Sequence, residues 1–230
     1  MPDEPSPFYE PDENLWNADI AAQQAIKWCR TKLKLRDTPV PVPVDVWIEK
    51  PMGMVLTVTD LTHLGPDTEG AVIMEKYEIQ IEQNLAEDDG RFRFACAHEL
   101  GHMVLHRNAK KIFQEHTHIG RIYHDLYEKQ ADRFASVTLM PLHSMFGRVF
   151  QLAAKHKKPR VEFLNALMAE GPSTQKLWAD VVLPDMESYF GLSRRVVLER
   201  FASLNLRREK RPFLPQSVAD QLVPTTPKKP

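Results

Sequence analysis

The chain has 230 residues, 43% of them hydrophobic and 9% aromatic, enough for a packed core with an appendage beside it. A formal net charge of −1 excludes a global electrostatic pull toward nucleic acid or an anionic membrane, and no run approaches the roughly 18 apolar residues of a membrane span. Two cysteines, Cys29 and Cys96, cannot make a disulfide framework, and the acidic, Pro-rich start MPDEPSPFYEPDEN is unlike a secretory signal. These features predict a cytoplasmic protein.

Residues 1–14 lack apolar periodicity and are expected to be disordered. Trp16 to Leu35 reads as a helix burying Ile20, Ala21, Ala25, Trp28 and Cys29. Pro39, Pro41 and Pro43 keep their predecessors extended and lead into an expected short strand, Val44–Ile48. Val55–Leu61, Ala71–Met74 and Tyr77–Ile81 are expected to complete a small mixed or antiparallel sheet. Alternation in YEIQIEQ puts Tyr77, Ile79 and Ile81 on one face. Asp88-Asp89-Gly90 offers capping oxygens to a helix over Arg91–His106, apolar on nearly every side and so buried.

A loop carrying His116, His118, Gly120 and Arg121 then leads to a helix over Tyr123–Met140, stopped by Pro141. Helices are expected over Leu142–His156, Val161–Ala169, Thr174–Tyr189 and Ser193–Leu204, with Pro184 kinking or dividing the third. A basic, Pro-rich tail from Arg207 reads as disordered. The expected organisation is a disordered N-terminus (1–14), an α+β domain (15–150), a helical appendage (151–206) and the tail (207–230).

The chemistry concentrates in His98-Glu99-Leu100-Gly101-His102. On a helix the two histidines lie on one face, ~6 Å apart along the axis, a spacing that suits two corners of a tetrahedral zinc site. Glu99 is rotated by about 100° from His98, so it need not ligate and can serve as a base toward water. With 9 His among the residues, HExxH arises by chance in roughly 1 of 40 shuffled chains, so the motif needs company. A third ligand is required. His106 continues the four-residue spacing but falls ~12 Å along the axis from His98, too far for three rings to converge, and reads as structural. The better candidate is Glu128, one turn before Asp132, on a helix whose Ala131 and Ala135 allow close approach. Asp132 can then accept from the outer N–H of a ligating histidine.

RFRFACAHELGHMVLH followed by ExxADRFASVTLMP resembles the ImmA/IrrE-type zinc metallopeptidases, sharply over Arg91–His106 and Glu128–Pro141 and in layout over Trp16–Pro141. The resemblance implies a small zincin-like domain with one zinc per chain, His98, His102 and Glu128 as ligands, and Glu99 as the general base. The sequence departs from the family pattern at Gln130, where a second Glu is common, and at Asp132, in place of Asn.

A donor to the transition-state oxyanion is open among Tyr123, His124 and Tyr127, with His116, His118 and His143 as further candidates. The strand near Tyr77–Ile81 is expected to pair with an extended substrate. The resemblance also implies a specific regulatory protein, such as a helix-turn-helix repressor, as substrate. The competing expectation is a non-catalytic, zinc-containing regulator that binds a partner protein or DNA through its C-terminal helices. YFGLSRRVVLERFASLNL fits a helix-turn-helix, with Arg194 and Arg195 toward DNA, or a plain helical hairpin with Val196, Val197, Phe201 and Leu204 as core.

Overall fold

The computed structural model describes residues 15–66, 68–107, 117–206 and 211–222, without the side chains of 117–125 and 222. The expectation for residues 1–14 therefore lies outside the described residues. The chain divides into two compact units, one within Asn14–Pro141 and one that takes in Leu142–Pro230. The architecture is α+β, mostly helical with a small sheet, as a zincin-like domain with a helical C-terminal part requires.

The first unit is built on three long helices and a three-stranded sheet: α1 (Trp16–Lys32), α2 (Val44–Glu49), β1 (Val55–Thr59), β2 (Gly70–Ile73), β3 (Glu78–Glu82), α3 (Asp89–Leu105) and α4 (Thr117–Leu139). Strand order is β1-β3-β2, with β1 parallel and β2 antiparallel to β3. Ile79 and Ile81 are fully buried, and α3 packs against β2 and β3. Asp88 caps α3 as expected, its Oδ1 accepting from the amides of Gly90 and Arg91 at 3.0 Å each.

Five expectations change in this unit. Val44–Glu49 is a helix, because Val44, Trp47 and Ile48 share one buried face at helical spacing and Pro43 is tolerated just ahead of the first turn. Strand β3 is central, so both its edges are occupied and it cannot take an added substrate strand. Tyr77 lies outside that strand, in a left-handed conformation (φ 56°) that closes the turn from β2. Helix α1 buries Ala18, Asp19, Ala22, Ile26 and Cys29, whereas Trp28 is exposed. The face is rotated because Asp19 is drawn inward by Arg133 of α4: Nε reaches Oδ1 at 2.6 Å and Nη2 reaches Oδ2 at 3.0 Å. Helix α4 also starts earlier than expected, at Thr117, and includes Gly120.

The second unit comprises α5 (Leu142–Lys155), α6 (Arg160–Met168), α7 (Pro172–Leu177), a π-helical turn (Trp178–Val182), α8 (Leu183–Phe190), α9 (Arg194–Ala202), the short pair β4 (Asn205–Leu206) and β5 (Arg211–Pro212), and α10 (Gln216–Leu222). The unit begins at Leu142, not after 150, because α5 packs within it, with Phe146 edge-on to Phe213 at 5.6 Å. Pro184 lacks the N–H that an α-helical bond needs, and the chain widens into the π turn just before it.

Residues 211–222 of the expected disordered tail are ordered. Phe213, Leu214 and Val218 are buried, Phe213 against Phe201 and Trp178, and the Glu170 carboxylate accepts from the amides of Gln216 and Ser217. Their burial outweighs the basic and Pro-rich character of the segment. Among the described residues no helix is long and apolar enough to cross a membrane.

Removing one partner of the Asp19–Arg133 pair leaves a buried charge uncompensated. Asp19→Ala is expected to cost about 3–5 kcal/mol of stability, measured by urea unfolding. A loss below ~1 kcal/mol would show that the pair does not anchor α1 to α4.

Candidate metal centre

The site is made where α3 crosses α4. Gly101, the fourth residue of HELGH, faces α4 at the crossing. A Cβ there would stand 3.2 Å from the Ala131 Cα and 3.2 Å from the Cβ and Cδ1 of Phe134. The missing side chain, together with the small buried Ala131 and Ala135, lets the two backbones come close enough for a carboxylate on α4 to reach the α3 imidazoles.

His98 and His102, one turn apart on α3, bring their Nε2 atoms to 3.0 Å. Glu128 completes the group, with Oε2 3.3 Å from His98 Nε2 and Oε1 3.4 Å from His102 Nε2. Ligands at ~2.0–2.1 Å from a tetrahedral zinc are spaced about 3.3 Å from one another; the two imidazole nitrogens stand near that distance from each other and each from a different oxygen of Glu128, so one carboxylate faces both rings. Two nitrogens and one carboxylate oxygen are also a donor set that zinc accepts. Among the described residues this is the one group of at least three His, Cys, Asp or Glu side chains with ligand atoms all within 4.8 Å.

The electrostatics favour positive charge at this point. Burial works against the His98 imidazolium, yet hydrogen bonds to Asp132 and Glu128 prevail and raise its pKa to about 10. Hydrogen bonds from His102 and His98 hold the Glu128 carboxyl well below the usual carboxylate range. Burial pushes the Glu99 carboxyl up, with the nearby Glu128 charge adding to it and His98 and His102 opposing. Cys96, on the same helix, is fully buried and its thiol is pushed up to about 12 by desolvation, so it offers no thiolate.

Asp132 lies beside the cluster, its Oδ1 2.9 Å from His98 Nδ1. His106 is outside it, with Nδ1 3.0 Å from His102 Nδ1. The Tyr127 ring packs on His106 at 4.4 Å between centroids. The side chains of His118, Arg121, Tyr123 and His124, and all of His116, lie outside the described residues. His143 belongs to the second unit, where it is exposed. There too, Arg194 is held by both Glu187 oxygens (3.2 and 3.1 Å) and Arg195 pairs with Glu199 at 2.8 Å.

Gly70 escaped the sequence reading. A Cβ on this β2 residue would stand 2.6 Å from Glu99 Cγ, 2.6 Å from Oε1 and 2.9 Å from Cδ. Gly70 is not among the glycines with positive φ, so its backbone conformation does not demand glycine. What it provides is room for the Glu99 carboxylate. A lone glycine inside a strand pattern, GAVI, is the signal that marks such a close approach.

Three variants separate the roles. Glu128→Ala is expected to lose tight zinc binding, whereas Glu99→Gln and Gly70→Ala keep about one zinc per chain by metal analysis. Gly70→Ala should fold, since the clash is with one side chain and not with backbone, but Glu99 must move from Cγ outward. A displacement near 1 Å lowers turnover about 100-fold. Full zinc occupancy in Glu128→Ala, or undiminished turnover in Gly70→Ala, would contradict these assignments.

No curated protein matches the chain. Residues 55–201 match the family model Peptidase_M78, described as the IrrE N-terminal-like domain, and this span takes in β1 to β3, HELGH, Glu128 and the helices as far as Phe201. More than half of the chain lies within that match: it belongs to the IrrE N-terminal-like domain family, a peptidase family of metallopeptidase type.

Proposed function

We propose that the protein is a zinc-dependent endopeptidase that cuts a specific regulatory protein, such as a helix-turn-helix repressor. The observation that carries the zinc reading is the convergence of His98 Nε2, His102 Nε2 and the two oxygens of Glu128, each nitrogen 3.3–3.4 Å from one of those oxygens, with the Glu99 carboxylate buried beside them. When bound there, zinc supplies Lewis acidity to the scissile carbonyl and to the attacking water. Glu99 takes a proton from that water and returns it to the leaving amine. Burial raises its pKa above the ordinary carboxylate value, the direction that favours holding the proton between the two transfers. Asp132 accepts from His98 Nδ1–H and so keeps the Nε2 lone pair toward the metal.

The substrate strand moves from the central β3 to β2, which is an edge of the sheet and passes over Glu99. The Glu82 amide donates to the Glu69 carbonyl at 3.0 Å, which sets the alternation. By that alternation Gly70 and Val72 turn their amides and carbonyls away from β3, toward the edge that carries no further strand among the described residues. An extended peptide can pair there with little dependence on sequence. Selectivity then needs contacts elsewhere, and the second helical unit offers a surface for a folded partner. Pairing of Arg194 with Glu187 and of Arg195 with Glu199 favours protein over DNA as that partner.

Val72→Pro removes one edge donor without touching the β3 ladder. It is expected to raise KM about three- to tenfold, the worth of one backbone hydrogen bond, with zinc retained. An unchanged KM in the folded variant would place the substrate elsewhere. The zinc-loaded full-length Glu99→Gln variant should capture one dominant protein that the wild-type enzyme cuts at a single position and does not cut in chelator. Equal cleavage of unrelated unfolded proteins would refute a dedicated substrate.

A further inference from the structure

The third histidine of HELGHMVLH stands directly behind the cluster. His106 is 8% exposed, its ring is covered by Tyr127, and both of its nitrogens are engaged. Nδ1 is 3.0 Å from His102 Nδ1, and Nε2 is 3.0 Å from Gln130 Oε1 on α4. Two facing ring nitrogens at that distance require one donor and one acceptor, and the tautomers decide which is which.

The polarity can be worked out from either end. From the metal end, the His102 Nε2 lone pair must face His98 and Glu128, so its proton sits on Nδ1 and is donated to His106 Nδ1. His106 must then carry its own proton on Nε2, where it meets an acceptor. From the other end, Gln130 presents its carbonyl oxygen to His106, which calls for a donor at His106 Nε2. The two ends give the same direction. Were the Gln130 amide reversed, its NH2 would donate to His106 Nε2 and the proton order would invert. His102 would then carry its proton on Nε2, where it blocks a metal.

We propose that His106 and Gln130 form a directed hydrogen-bond chain that holds His102 in the Nδ1–H tautomer, with its Nε2 lone pair aimed at the zinc. The inference rests on the zinc reading above and assigns both as positioning residues. The two imidazoles are thus oriented by unlike partners. His98 is backed by the Asp132 carboxylate at 2.9 Å, and His102 by a neutral imidazole whose direction is set by an amide. A purely structural His106 would need only its packing against Tyr127, and the identity of the Gln130 end group would not matter.

The test uses the full-length protein, with zinc affinity measured by chelator competition and apo stability by thermal unfolding. Gln130→Met keeps the length of the side chain and removes the acceptor; Gln130→Glu keeps an acceptor. Loss of a group that orients a ligating histidine typically lowers metal affinity 10–100-fold. His106→Phe is expected to fall in that range, and Gln130→Met to lose about tenfold. Gln130→Glu should bind at least as tightly as wild type. Similar apo midpoints for the two Gln130 variants would separate this effect from packing. If His106→Phe does not fold, the half-buried Gln130 pair decides alone. Unchanged affinity in Gln130→Met, or an equal loss in Gln130→Glu, would overturn the chain while leaving the zinc site intact. A wild-type protein that binds no zinc would overturn the zinc reading itself.

Discussion

The close crossing of α3 and α4 at Gly101 is the constraint on which the first unit's chemistry depends. With Ala131 and Phe134 already 3.2 Å from where a Cβ would stand, the crossing leaves no room for a larger residue without moving a helix. It brings Glu128 to both imidazoles, Asp132 to His98 and Gln130 to His106, all from one run of α4. These three side chains serve three separate positions because residues at i, i+2 and i+4 fan around a helix and advance along it. The buried Asp19–Arg133 pair fixes α4 from its other side. Each feature alone is ordinary; the site arises because they share one helix.

The electrostatics follow from that crossing. Three carboxylates and two imidazoles meet there, Glu99 buried and Glu128 and Asp132 open to solvent on one side. Their charges respond in opposite directions: Glu99 is pushed up, Glu128 is held down, and His98 is raised. Such divergence separates a carboxylate that remains an anion from a neighbouring one whose charged form is disfavoured, the pattern expected of a ligand beside a base. Gly70 contributes from the sheet by leaving the Glu99 carboxylate its space, so the edge strand and Glu99 are placed by the same contact.

Much of this was legible in the residues. HELGH, the Asp88 cap and the small residues around Glu128 act through local helical geometry, which sequence spacing encodes directly. What escaped depends on partners distant in the chain. Alternation in YEIQIEQ marks β3 as a strand but carries no information on its order in the sheet, so its central position was out of reach. Asp19 reads as a surface acid until Arg133 is known to lie opposite, and the buried face of α1 was misplaced for that reason. The prolines around Val44 suggested extension, while the spacing of Val44, Trp47 and Ile48 held the helical signal. His106 stands outside the group of His98, His102 and Glu128, and its partner Gln130 lies 24 residues away and could not be inferred from it.

X-ray absorption at the zinc edge of the wild-type, zinc-loaded protein tests the central claim most directly. The account predicts one zinc per chain with two imidazole nitrogens at ~2.0–2.1 Å, oxygen completing the shell, and no sulfur. A sulfur shell near 2.3 Å, or a third imidazole in place of the carboxylate, would contradict it.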